Sequence, residues 1–306
     1  VLDAGNAGTV MRFLTAYLPA TPGSRTLTGD GRMQQRPIAP LVEALRNMGA
    51  SIRYAGREGF APLHIEGRKL SGGMVKIDGG ISSQFVSALM MIAPLLNGPL
   101  KIQLDGPVVS APYIGMTAAL MRIAGLEVQV RLPLVDVPCH SYEPATLPAE
   151  PDWSAAAPWY SMVALREDLE LLFKDLDEDS LQGDRVLAEH FRLLGVRTEK
   201  AVDGLRVCRA TRPEPGSVVS FDLIDCPDLA PSLIVTVAAL GMAGHFSGLS
   251  TLSGKESDRL QALQAELGKA GIRCSIGPGS LSFSHGVMDL RHPVDPRGDH
   301  RIAMAF

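Results

Sequence analysis

Four segments of this chain end a helix-like stretch on a glycine and continue into a short alternating strand. They are Leu41–Gly49, Ala118–Gly125, Ala188–Gly195 and Leu263–Gly271. Their glycines are spaced by 76, 70 and 76 residues. Glycine accepts the left-handed conformation that terminates a helix. After each glycine comes an apolar residue and a run such as Ala50-Ser51-Ile52-Arg53-Tyr54 or Leu126-Glu127-Val128-Gln129-Val130, the two-residue period of a half-buried strand. A chain with such a period is a stack of one supersecondary unit.

A second kind of helix alternates with the first. Thr9–Leu18, Ser83–Ala93, Trp153–Leu165 and Leu229–Gly241 are apolar almost all round, which predicts burial on every side. Each begins with polar residues: Asn6 and Thr9, Ser82 and Ser83, Asp152 and Ser154, and Asp228. A fifth start, Asp299-His300-Arg301, precedes Ile302–Phe306. These residues are ready N-caps. If the helix ends converge on a cleft, their unpaired N–H groups favour an anionic ligand. Buried helices enclosed by sheets fit this pattern better than a plain alternation of parallel strands and covering helices. The proline-rich, aperiodic stretch Glu143–Pro151 places a domain boundary there, giving domains 1–148 and 149–306.

The chain is 306 residues long, 46% apolar and 20% charged, with a net charge of −4. It is long enough for two cores, and its charge gives no reason to expect nucleic acid or an anionic membrane as partner. Cys139, Cys208, Cys226 and Cys274 are scattered without a metal-binding spacing, so no metal is expected and the thiols suit a reducing, cytoplasmic setting. The longest apolar stretch, Leu233–Gly244, is too short to span a bilayer.

Affinity for an anion must therefore be local. Arg12, Arg32, Arg36, Arg259 and Arg301 lie beside helix starts or turns, and guanidinium groups bind phosphate and carboxylate bidentately. Arg36, Arg259 and Arg301 are expected to share one anion site. Lys255-Glu256-Ser257-Asp258-Arg259 places four ionisable residues within five. It reads equally as a solvated helix start capped by Ser257 or as an acid–base pair, Lys255 and Glu256, beside an anion-holding arginine. Asp228 is an N-cap by default, and burial at the mouth of an apolar helix would raise its pKa and suit it to proton transfer.

Together these segments resemble the 5-enolpyruvylshikimate-3-phosphate synthases. The resemblance is carried by Gly5-Asn6-Ala7-Gly8-Thr9 with Met11-Arg12, Gly29–Ile38 including Arg36-Pro37, Ser82-Ser83-Gln84, Val109–Ile114, Pro227-Asp228, Lys255–Leu260 and Asp299–Met304. It implies a two-domain, inside-out α/β barrel of βαβαββ repeats with buried helices, closing on ligands at its hinge. The implied reaction moves the enolpyruvyl group of phosphoenolpyruvate onto the 5-hydroxyl of shikimate 3-phosphate, in the shikimate pathway to chorismate and the aromatic amino acids. No cofactor, nucleic acid or membrane is implied, and the full-length protein is expected to be a monomer.

Matched by position, the resemblance gives Ser82, Ser83, Gln84, Ser110, Tyr113, Asp228 and Lys255 to shikimate 3-phosphate. It gives Asn6, Gly8, Arg36, Gln84, Arg259, His300 and Arg301 to phosphoenolpyruvate. The catalytic set is Asp228, taking the hydroxyl proton, with Lys255 and with Glu256, handling protons on the methylene carbon. Thr251 stands where the family usually has asparagine, Ser253 where a basic residue is common, and Phe13 where many members have proline. The family's N-terminal Lys-Ser pair and arginine, and a lysine beyond Asp299-His300-Arg301, have no counterpart in residues 1–306. The resemblance thus implies a chain truncated at both ends, with the first domain lacking its N-terminal repeat and the second its C-terminal end. Val10, Phe13, Leu14, Ile302 and Phe306 are then expected to lack neighbours, and the isolated chain to be nearly inactive. Two alternatives remain open: a UDP-N-acetylglucosamine enolpyruvyl transferase, for which Asp30 is the pointer, and a non-catalytic ligand-binding fragment.

Overall fold

The computed structural model describes residues 1–147 and 149–306. Pro148, where the sequence ends the first domain, lies outside the described residues. The chain separates into two compact units, Val1–Pro148 and Ala149–Phe306.

The first unit holds two copies of one βαβαββ repeat. The first copy comprises β1 (Leu2–Asp3), α1 (Gly8–Tyr17), β2 (Gly23–Thr28), α2 (Ala39–Asn47), β3 (Ser51–Tyr54) and β4 (Leu63–Gly67). The second comprises β5 (Ser71–Asp78), α3 (Ser83–Ile92), β6 (Asn97–Asp105), α4 (Ala111–Ile123), β7 (Gln129–Arg131) and β8 (Leu134–Val137). Each copy forms its own four-stranded sheet, ordered β1-β2-β4-β3 and β5-β6-β8-β7. In both, the first two strands run parallel and the closing hairpin is antiparallel.

The second unit repeats the plan. One copy contains α5 (Trp153–Leu165), β9 (Glu170–Lys174), α6 (Leu187–Arg192), β10 (Val196–Ala201) and β11 (Gly204–Arg209). Its sheet has three strands among the described residues, in the order β10-β11-β9. The next copy is complete: β12 (Val218–Asp222), α7 (Ala230–Ala239), β13 (Ala243–Ser247), α8 (Arg259–Lys269), β14 (Cys274–Gly277) and β15 (Ser280–Phe283), ordered β12-β13-β15-β14. A final helix, α9 (His300–Ala305), follows. No helix among the described residues is long and apolar enough to cross a membrane.

The four periodic glycines do what their spacing predicts. Gly49, Gly125, Gly195 and Gly271 end α2, α4, α6 and α8 with φ of +97°, +87°, +83° and +88°. A side chain there would strain the turn that sends the chain back into its sheet.

The first helix of each repeat forms the interior. In α3 eight of ten residues are buried and in α7 nine of ten, as the all-round apolar pattern predicts. The same expectation fails for α1 and α5, where Val10, Tyr17, Trp159, Met162 and Leu165 are exposed. Burial on every side needs neighbours on every side. α3 packs closely against both α1 and α4, and α7 against both α5 and α9, whereas α1 packs chiefly on α3 and α5 chiefly on α7, with their other helix neighbours more sparsely engaged. Ile302, expected to lack neighbours, is fully buried because α9 packs on α7 and α5.

Candidate active site

Each unit gathers polar residues at the N-terminal ends of its interior helices. In the first unit the ends of α1 and α3 are tied by side chains. Arg12 Nη1 donates to Gln84 Oε1, and Gln84 Nε2 donates to Thr9 Oγ1 at 3.2 Å. Arg12 also lies over the Phe85 ring, 5.5 Å from its centroid. Ser82 caps α3, its hydroxyl accepting the Gln84 N–H at 3.3 Å, and Ser83 beside it is buried.

Gly8 opens α1, where the absence of a side chain lets two guanidinium groups approach. A Cβ at Gly8 would stand 2.7 Å from Arg36 Nη2 and 3.1 Å from Arg12 Nη1. Arg36 is 5% exposed, and its Nη1 donates to the Asn6 carbonyl at 3.4 Å. Two cations at the positive end of a helix make a local field that favours an anion. Asn6 Oδ1 is buried without a hydrogen-bond partner among the described residues, an acceptor that a bound ligand could satisfy. Ser110 and Tyr113 open the neighbouring α4, with Ser110 left-handed at φ +55°. Thr117 holds that helix to α3 through a 2.7 Å contact with Ser87.

The second unit builds a denser network. The Arg259 side chain is 1% exposed and binds three carboxylates. Its Nη1 meets Asp228 Oδ1 at 2.8 Å, its Nη2 meets Glu256 Oε2 at 2.7 Å, and its Nε meets Asp299 Oδ2 at 2.8 Å. Lys255 Nζ reaches Asp228 Oδ1 at 3.1 Å, and Arg301 Nη2 reaches Asp228 Oδ2 at 3.5 Å. Three cations and three carboxylates therefore interlock, with Asp228 touching all three cations. His300 opens α9 and is exposed. Thr251 Oγ1, four residues before Lys255, is buried and unpartnered among the described residues.

Three local expectations are corrected here. Asp228 is not an N-cap. It sits in a tight turn, Pro227–Leu229, ahead of α7, and its carboxylate binds side chains instead. Its pKa is not raised: burial alone pushes the carboxyl up, but Lys255, Arg301 and Arg259 together hold it well below the usual carboxylate range. Nor does Ser257 cap α8; Asp258 does, accepting the Gln261 N–H, while the Ser257 hydroxyl donates to Asp299.

Arg259 and Arg301 come together on Asp228, whereas Arg36 belongs to the first unit's cluster. The sequence left Asp299 as a helix start. In the structure it caps α9, accepting the Arg301 N–H at 2.9 Å, and also anchors Arg259. Arg12 likewise gains its importance from Gln84, 72 residues away. The sequence signals for them, a helix-start position and a place in a motif, did not reveal these partners.

The family model for EPSP synthase (3-phosphoshikimate 1-carboxyvinyltransferase) matches residues 1–306. The chain belongs to the EPSP synthase family. A relative in Bacteroides fragilis named 3-phosphoshikimate 1-carboxyvinyltransferase is 42% identical, matched over all of this chain and 75% of the relative. One of the same name in Syntrophobacter fumaroxidans is 37% identical over 99% of this chain and 71% of its own length. The fold is that of an EPSP synthase structure from Acinetobacter baumannii, with a TM-score of 0.71 at 23% identity, covering 99% of this chain and 70% of that one. The fold is thus that of the enolpyruvyl transferase architecture. Between the two enolpyruvyl transferase branches left open by the sequence, the family match selects EPSP synthase.

Proposed function

We propose that this chain transfers the carboxyvinyl group of phosphoenolpyruvate to the 5-hydroxyl of shikimate 3-phosphate and releases phosphate, the shikimate-pathway step leading to chorismate. The observation that carries the mechanism is the placement of Asp228 and Glu256 on the two terminal nitrogens of one guanidinium, that of Arg259. The reaction forms a bond between the 5-oxygen and C2 of phosphoenolpyruvate while the hydroxyl loses a proton and the methylene carbon gains one. It then breaks the bond from C2 to the phosphate oxygen, and the new methyl group gives up a proton to restore the double bond. One group must work at oxygen and another at carbon two bonds away, and two carboxylates fixed on one planar cation suit that division.

On this reading Asp228 takes the hydroxyl proton, Glu256 exchanges protons with the methylene carbon, and Lys255 supports both. A carboxylate with so low a pKa is a weak base until its cations are drawn elsewhere. Lys255 and Arg301 have side chains 22% and 17% exposed, so phosphate and carboxylate groups of arriving substrates can compete for them. Asp228 gains proton affinity as they do. Shikimate 3-phosphate is given to Ser82, Ser83, Gln84, Ser110 and Tyr113 with Asp228 and Lys255. Phosphoenolpyruvate is given to Asn6, Gly8, Arg36 and Gln84 with Arg259, His300 and Arg301. Arg259, already committed to three carboxylates, contributes chiefly by fixing Asp228 and Glu256. No metal or organic cofactor enters this chemistry. We place the protein in the cytoplasm, a reducing setting that suits its four free thiols, and take the full-length enzyme to be a monomer.

The test is phosphate release from the full-length enzyme supplied with both substrates. Binding of both without release would return the protein to a ligand-binding role.

A further inference from the structure

Behind the Asp228 turn lies a polar pair that the proposed chemistry does not use, a buried cysteine and a half-buried histidine. Cys226 is 3% exposed, and its Sγ lies 3.5 Å from His190 Nε2 on α6. The His190 ring also stands edge-on to Phe221 of β12, with centroids 5.2 Å apart. The Cys226 backbone closes both turns that present Asp228. Its N–H donates to the Leu223 carbonyl at 3.1 Å, and its carbonyl accepts the Leu229 N–H at 3.0 Å.

The residue whose thiol is tied to α6 is therefore the one from which the Pro227–Leu229 turn hangs. Packing alone does not ask for this arrangement. A buried cysteine can serve as a small apolar filler, and the neighbouring α6 residues Leu187 and Phe191 are fully buried apolar side chains. A hydrogen bond to an enclosed polar group is directional, and losing His190 leaves the buried Cys226 thiol unsatisfied. The thiol is no nucleophile. Burial, reinforced by nearby carboxylates, pushes the Cys226 thiol up, and burial pushes His190 down, so both are neutral at pH 7.

We propose that Cys226 and His190 are positioning residues for the reaction: their hydrogen bond anchors the Pro227–Leu229 turn to α6 and fixes where the Asp228 carboxylate stands against Lys255 and Arg301. The inference rests on the reading of Asp228 as the base. It concerns this chain's own side chains and requires no further ligand.

The experiment compares Cys226→Ala, Cys226→Ser and His190→Leu in the full-length enzyme, each alone and combined with Asp228→Asn, with melting temperatures measured throughout. Misplacing a reacting group lowers turnover more than binding. Cys226→Ala and His190→Leu should each reduce kcat by about tenfold or more while both KM values stay within about twofold. Cys226→Ser, whose hydroxyl can reach His190, should recover most of that loss. In the Asp228→Asn background, Cys226→Ala should cost less than about twofold, because residues acting through one group are not additive. An unchanged kcat in Cys226→Ala and His190→Leu, or an equal loss in both backgrounds, would overturn the positioning role and leave the Asp228 assignment standing. Near-normal turnover in Asp228→Asn alone would sink both. Should Cys226→Ala fail to fold, Cys226→Ser and His190→Leu carry the same comparison.

Discussion

Arg259 and Asp299 hold each other through two hydrogen bonds, Nε to Oδ2 at 2.8 Å and Nη2 to Oδ1 at 3.3 Å, with side chains 1% and 0% exposed. They lie 40 residues apart in the chain. The pair joins the start of α8 to the start of α9, and through Arg259 it sets the positions of Asp228 and Glu256. Removing one member of a buried ion pair leaves the other charge uncompensated, at a cost of about 3–5 kcal/mol. Asp299→Ala should therefore lower unfolding stability by about that amount in denaturant titrations. A loss below about 1 kcal/mol, the scale of an exposed ion pair, would show that Arg259 is held well enough by its other partners.

Acid should weaken this network in a defined direction. For Asp299, burial pushes the carboxyl up, but the Arg259 hydrogen bond and charge, with the Arg301 N–H and the Ser257 hydroxyl, hold it below its ordinary value. Asp228 is lowered in the same sense. A carboxylate depressed in the folded state contributes stability above its unfolded pKa of about 3.9, and that contribution is lost as pH falls through the folded value. Unfolding free energy should be flat in these groups above about pH 5 and decline below about pH 4. The decline should be shallower in Asp299→Asn; identical acid profiles for the two proteins would remove Asp299 from the account.

Gly8 offers a test of the first unit. An added methyl group would meet Arg36 Nη2 at 2.7 Å, the far end of a flexible side chain that must shift to make room. Gly8→Ala should displace the guanidinium with little effect on melting temperature. Because a charge-assisted contact to an anion is worth about 1.5–3 kcal/mol, the KM for phosphoenolpyruvate should rise by about tenfold or more. A KM unchanged within about twofold would mean that Arg36 does not contact that substrate.

Asp228→Asn keeps a side-chain oxygen for Arg259 and Lys255 but cannot take up a proton in the same way. Turnover should fall by about two or more orders of magnitude, the range of general base contributions, and the melting temperature should also drop because three cations lose their shared carboxylate. Steady-state kinetics beside a thermal melt would separate this outcome from a folding defect.

The repeat glycines should not be equally sensitive. At Gly49 a Cβ would meet nothing within 4 Å, so alanine adds only the strain of a left-handed backbone at φ +97°, about 1–2 kcal/mol. At Gly195 the same atom would lie 2.1 Å from the Thr211 carbonyl oxygen, and backbone cannot swing aside as a long side chain can. Gly195→Ala should be the more destabilising by at least about 1 kcal/mol in urea titrations. Equal losses would mean that the β11 end relaxes freely around residue 195.

What the sequence determined by itself was local or periodic. The left-handed glycines at 49, 125, 195 and 271 were legible because the conformation that ends a helix is a property of the residue placed there. The burial of α3 and α7 was legible because a helix apolar on all sides has no favourable face to turn to water. Family motifs supplied the membership of the candidate site. The tertiary structure decided the partnerships, since they join residues far apart in the chain. Asp228 looked like a helix cap with a raised pKa, yet Lys255, Arg259 and Arg301 lie 27 to 73 residues further along and reverse the effect of burial. The exposure of α1 and α5 followed from how closely neighbouring helices cover each flank, which hydrophobicity along one segment does not encode. The same holds for Asp299, Gln84 and the Cys226–His190 pair. Their roles are electrostatic and hydrogen-bonded contacts made across the fold, and such contacts exist only once packing has brought the two ends together.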